Sequence, residues 1–191
     1  MPLTALDPKT ALVLIDLQRG IVTLPGAHPI SEIVTLSASL AEAFRGHSLP
    51  VVLVNVDPTK AGFRPRIQQP PPVRELPPGF ADLVPELNQQ STDLLITKHG
   101  WGAFTGTTLE GDLRSLGVTQ IVLAGVATSI GVESTARVAY QLGFNVTFVT
   151  DAMTDLHLDA HNNSITRIFP RIGELATTEE VLNMLPERST K

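Results

Sequence analysis

The chain is predicted to fold as one α/β domain, a three-layer αβα sandwich on a parallel sheet of five or six strands. Three observations predict it. Five short runs rich in Val, Ile and Leu recur along the 191 residues, each run is apolar at consecutive rather than alternate positions, and segments with helical spacing separate them. A strand apolar on both faces is covered on both faces, which is how a parallel sheet flanked by helices reads. Alternation of strand and helix calls for crossover connections and a layered sandwich.

The strand runs are 11–15, 51–56, 94–97, 121–126 and 146–150, and 173–176 reads as a short sixth. Helices are expected over 33–45, 109–116, 130–142 and 179–185. The second of these opens on Thr107-Thr108-Leu109-Glu110 and the last on Thr177-Thr178-Glu179-Glu180, both with the spacing of a capping box. Along 130–142, Val132, Thr135, Ala136, Val138, Ala139 and Leu142 cluster in a way that predicts a largely buried helix. Between 65 and 78 lies a proline-rich stretch with Pro70-Pro71-Pro72 and Pro77-Pro78. Proline neither donates to a ladder nor sits inside a helix, so a stiff surface excursion is expected, a lid or a contact with a partner subunit. No internal repeat is visible, and a length of 191 residues suits a single domain spanning 1–191.

Composition removes several function classes. A net charge of −5 is not the basic surface of a nucleic-acid binder, and no apolar run approaches the ~20 residues that span a bilayer. The absence of cysteine rules out disulfides, thiolate metal sites and thiol catalysis. The first ten residues show no cationic segment followed by an apolar stretch. The expectation is a cytoplasmic protein that binds a small molecule, with neither nucleic acid nor membrane as partner.

The residues that follow the strands carry the functional signal. Asp16 ends the first run, Asp57 the second, Lys98 the third, the turn Gly125-Val126-Ala127-Thr128 the fourth and Asp151 the fifth. In open parallel sheets ligands bind beyond the carboxyl ends of the strands. Any strand must end in something polar, so each residue alone says little; an Asp and a Lys at nearby strand ends are another matter, because each would need the other if buried.

These positions resemble a known family. Leu14-Ile15-Asp16-Leu17-Gln18 is similar to the opening motif of isochorismatase-like hydrolases, 97–107 to their lysine segment, and 124–136 to their Gly-Val-x-Thr-x-x-Cys-Val-x-x-Thr-Ala signature. The motifs fall in the family's order over about residues 10–185. The resemblance implies a Rossmann-like sandwich, a hydrolase activity, homodimers or larger homo-oligomers, and a site of Asp16, Lys98 and the position now held by Gly131. It further implies substrate contacts from Gln18, Phe104, Val126, Ala127, Thr128 and Arg64, and a cis peptide at Val126–Ala127.

At Gly131 the chain departs from the pattern. The family's amidases carry their nucleophilic cysteine there; glycine has no side chain, so no acyl-enzyme forms. The family's isochorismatases lack that cysteine too, but carry Tyr-Ala-His where this chain has Ala127-Thr128-Ser129. A water between Asp16, Lys98 and Gly131 is the simplest nucleophile, with backbone N–H groups of 127–131 as donors to developing negative charge. Lys98 would favour ionised Asp16 and burial the protonated acid, so its role as base or acid stays open. The alternative is a catalytically silent member that binds a small molecule or serves as an oligomer subunit.

No cofactor or metal is expected. Asp57-Pro58-Thr59 lacks the histidine of the family's Asp-x-His zinc pair, and His157 and His161, spaced i,i+4 about Asp159, lack the glutamate of a His-Glu-x-x-His site; a solvated or interface helix face is expected of them. His99 reads equally as pocket lining or structure. Trp101 reads as packing and Phe104 as a pocket wall. Arg64 and Arg66 read as solvated loop charges or, by resemblance, as a clamp for a carboxylate.

Overall fold

The computed structural model describes residues 3–60, 66, 68 and 75–185. Arg64 and most of the proline-rich stretch lie outside them. Six strands form one sheet: β1 Thr10–Ile15, β2 Val51–Val56, β3 Leu94–Lys98, β4 Gln120–Val126, β5 Asn145–Thr154 and β6 Glu174–Ala176. Every pairing is parallel, in the order β3-β2-β1-β4-β5-β6. The chain winds outward from β1 to β3 and then returns to β4 on the other side of β1, which makes the β1/β4 junction the topological switch point.

The consecutive apolar pattern divides between two cores. On β1, Ala11, Val13 and Ile15 face one layer, where Leu109 and Leu113 of α3 (Leu109–Ser115) and Ala136 and Ala139 of α4 (Glu133–Gln141) meet them. Leu12 and Leu14 face the other layer, against Ile33, Leu40, Ala41 and Phe44 of α2 (Ile30–Gly46) and Val181 of α6 (Thr178–Met184). A fully buried Leu, Ile or Val side chain contributes about 1.5–3 kcal/mol of transfer free energy, so both faces need their apolar set. Two short α-helices, α1 (Arg19–Val22) and α5 (Leu158–Asn163), and several single turns of 3-10 or π-helix complete the described fold.

Three local expectations are corrected. β3 is an edge strand, and Leu95 and Thr97 are exposed while Ile96 and Lys98 are buried; its apolar run is not covered on both faces. The capping box expected at α3 is absent: Thr108 is the N-cap without a side-chain cap, its hydroxyl donating to Asp112, and Thr107 donates to the Ala103 carbonyl. At α6 the box is complete, Thr177 and Glu180 each accepting the other's N–H. Finally, Asp151 does not end β5. The register jumps from Leu123↔Phe148 to Gly125↔Met153, so two steps on β4 face five on β5. This bulge takes Asp151 out of the ladder, where its carboxylate accepts from the N–H and hydroxyl of Thr178 at the start of α6. The strand then runs on to Thr154.

Candidate active site

The carboxyl ends of β1, β3, β4 and β5 converge on a cavity of ≈ 200 Å³. Two strand spacings of about 4.8 Å, roughly 10 Å in all, separate β3 from β1 across the end of β2. An extended lysine from one side and the Asp16 side chain from the other, with the hydrogen bond between them, span it. Its Nζ donates to Asp16 Oδ2 at 2.7 Å and to the Gly100 carbonyl at 3.2 Å, and both charged side chains are buried.

Asp16 adopts a left-handed backbone, φ 52°, which Asp tolerates better than most residues because its short side chain can bond locally. Its other oxygen, Oδ1, is buried with no hydrogen-bond partner among the described residues. Burial pushes the carboxyl up from its ordinary 3.8 to about 6, outweighing the opposite pull of the Lys98 charge and hydrogen bond. The competition between desolvation and a neighbouring cation is thus won by desolvation. An acid poised near neutrality both accepts and returns a proton at modest cost.

The turn after β4 forms the floor. Gly125 passes so close to Ile15 that a Cβ would overlap the β1 backbone, and its φ of 116° suits glycine alone. The Val126–Ala127 peptide is cis, and Thr128–Val132 makes one π-helical turn leading into α4. Val126, Ala127, Ile130 and Gly131 line the cavity. A Cβ on Gly131 would lie 2.8 Å from Ile15 Cγ2 and 3.3 Å from Asp16 Oδ2. The surroundings have closed in where a nucleophile's side chain would begin, so a cysteine there could enter only by displacing Ile15 or the carboxylate. Of the N–H groups expected to face developing charge, two are engaged: Ser129 donates to Asp155 Oδ2 and Ile130 to the Ala127 carbonyl.

The structure brings Asp16, Lys98, Val126, Ala127 and Gly131 together and sets other expected residues apart. Gln18 is fully buried away from the cavity: its Nε2 donates to the Val56 and Phe80 carbonyls and its Oε1 accepts from Val56 N–H. It is a backbone clamp. Phe104, 8% exposed, packs against Phe144 in the α3/α4 core and does not wall the pocket. The reverse correction applies to Trp101, which is 67% exposed and lines the cavity instead of packing. Thr128 lies behind the wall, its hydroxyl 2.9 Å from Nδ1 of His161. That histidine is buried and tilted against the ring of His28, so it is no solvated helix face, and burial lowers its pKa. His157 precedes α5 as its N-cap residue and is exposed. His99 holds the Asp57 carbonyl through Nδ1, and the Asp57 carboxylate accepts from Thr59 within its own turn.

Asp155 was not anticipated. It is 2% exposed, lines the cavity, and accepts from the N–H groups of Ser129 (Oδ2, 2.7 Å) and His157 (Oδ1, 3.4 Å). With Thr154 it supplies the polar group that Asp151 was expected to supply. Apolar side chains make up most of the remaining wall, among them Ile21, Leu24, Ile30, Val56 and Leu156. No group of three or more His, Asp or Glu among the described residues is arranged to hold a metal ion.

Comparison with known proteins agrees with the fold. The model of a family described as the isochorismatase domain matches residues 10–180. The chain is 43% identical to the isochorismatase family protein YwoC of Bacillus subtilis over 182 residues, 93% of this chain and 94% of that one. It is 44% identical to the family protein YecD of Escherichia coli O157:H7 over 181 residues, 92% and 96% of the two chains. Among solved structures, an isochorismatase family protein from Burkholderia thailandensis superposes with a TM-score of 0.90 at 43% identity, covering 95% of this chain and 97% of the other.

Proposed function

The chain belongs to the isochorismatase family and contains no cysteine, and from that premise we propose that it is a hydrolase acting on a small organic molecule through Asp16, Lys98 and water, without a covalent intermediate. The observation that carries the reading is the buried Asp16–Lys98 pair on the wall of the cavity, in which Lys98 holds Asp16 Oδ2 and Oδ1 has no hydrogen-bond partner among the described residues. A buried polar atom without a partner costs about 1–3 kcal/mol, and a bound water or substrate would recover it.

In this reading the Asp16 carboxylate takes a proton from a water whose oxygen bonds to the electrophilic carbon of the substrate. The bond from that carbon to the leaving heteroatom then breaks, and the Asp16 carboxyl returns the proton to the departing atom, so each turnover consumes one water and leaves Asp16 as it began. Lys98 holds the carboxyl in one orientation and balances its charge while it is ionised. Gly131 leaves room for no enzyme nucleophile.

The test is turnover of a panel of amides, vinyl ethers and esters by the wild type and by Asp16→Asn. A substrate whose hydrolysis falls at least about 100-fold in the variant supports the reading, the scale expected for one acid–base group. If no panel member gives turnover that depends on Asp16, the chain is a binding member of its family.

A further inference from the structure

We propose that Asp155 sets the charge selectivity of this cavity, which admits small, largely apolar molecules with an uncharged or cationic head and excludes carboxylates. The inference rests on the same cavity being the substrate site, and goes beyond the hydrolytic reading by naming what enters.

The wall has two charged zones. Lys98 and Asp16 form a pair at 2.7 Å whose charges cancel once Asp16 is ionised, and the lysine's remaining described bond is to the Gly100 carbonyl. Asp155 follows β5, two strand spacings or roughly 10 Å from the β1 end that bears Asp16. No cation lies within ion-pair distance of it among the described residues, and its carboxylate contacts are backbone N–H groups. Above the titration of Asp16 the described wall therefore carries one uncompensated negative charge in a space of ≈ 200 Å³ lined mostly by apolar groups. A ligand filling that space stands within several ångströms of Asp155 and has displaced the water that would screen it, so a like charge is opposed far more strongly than in bulk solvent.

The volume suits a single small ring or a short branched chain, and Trp101 at the rim provides a readout. It is the chain's one tryptophan, is mostly exposed and lines the cavity, so occupancy should change its fluorescence.

Benzoate, benzamide and benzamidine share size and shape and differ in charge. Their affinities for the full chain would be measured at about pH 8 by Trp101 fluorescence and by calorimetry. Benzoate is expected to bind at least about tenfold more weakly than either of the others. Asp155→Asn keeps an acceptor for Ser129 N–H while removing the charge, and should shrink the benzoate handicap to less than about threefold. Benzoate binding as well as benzamide to the wild type overturns the proposal, as does an unchanged handicap in Asp155→Asn, or binding of none of the three up to their solubility limits. A carboxylate clamp at Arg64 would give the opposite order. If Asp155→Asn does not fold, the wild-type order still decides. These affinities need no turnover: a failed substrate panel would leave them standing, and benzoate binding tightly would leave the Asp16 mechanism standing.

Discussion

Replacing Asp16 by Asn should change how stability depends on pH, in a direction opposite to that of most carboxylates. The Asp16 pKa rises from 3.8 to about 6 on folding. Its stabilising contribution is therefore fully present below pH 3.8, where both states are protonated, and is lost as pH climbs to about 6. In that window the folded state binds more protons than the unfolded one, so unfolding free energy falls with rising pH. About two units at 1.36 kcal/mol each give ~3 kcal/mol. Asparagine is close in shape and does not titrate, and whatever its removal costs Lys98 is a constant offset over this range. The quantity to plot is the unfolding free energy of the wild type minus that of Asp16→Asn, from urea titrations followed by circular dichroism between about pH 3 and about pH 8. Subtraction cancels the carboxylates common to both. The difference should fall by ~3 kcal/mol and flatten above about pH 6.5. A flat difference, or one that rises with pH, would mean that the Lys98 charge outweighs burial, and the proton-accepting role given to Asp16 near neutrality would fail with it.

Two further substitutions test the packing that holds the site. Gly131→Ala would ordinarily stabilise a helical position by roughly 1 kcal/mol; here its methyl meets Ile15 Cγ2 at 2.8 Å and presses on Asp16 Oδ2, so urea unfolding should show a loss of about 1–3 kcal/mol, and a gain would refute the crowding. Gln18→Leu strips three hydrogen bonds from the backbone of Val56 and Phe80, and a loss of roughly 3 kcal/mol is expected; a change under about 1 kcal/mol would mean that the clamp is replaceable.

The layered sheet was legible because parallel strands must be apolar on both faces, and that pattern survives in sequence at β1, β2, β4 and β5. It misled at β3, since an apolar run does not say whether its strand ends the sheet. The pair Asp16 and Lys98 was legible because each follows a strand and neither tolerates burial alone. Gln18, Phe104 and Trp101 were misjudged for one shared reason: a motif position tells which residue is constrained, while facing a cavity, filling a core and clamping a backbone are different constraints with the same sequence trace. Asp155 was missed because the β5 bulge hides where the strand stops. The signal available was the resumption of apolar residues at Ala152-Met153 beyond Asp151, which places the true strand end at Thr154 and the next carboxylate at its exit.

Stability gives little reason for Asp16 and Lys98 to be where they are. A buried ion pair commonly contributes less than well-packed apolar side chains of the same volume, and here desolvation outweighs the attraction at the acid. The carboxyl adds an oxygen without a partner among the described residues and a left-handed backbone, each a cost of order 1 kcal/mol or more. Gln18, by contrast, is polar and buried with each of its described bonds spent on the fold. Asp16 and Gln18 stand two positions apart in the same turn, between Ile15 and α1, so the chain satisfies buried polar groups there when structure is the only demand. An oxygen left unsatisfied at the topological switch point, next to a cavity, is what a site kept for a reacting molecule would look like; a leucine in its place would fill space and cost the fold nothing of that kind.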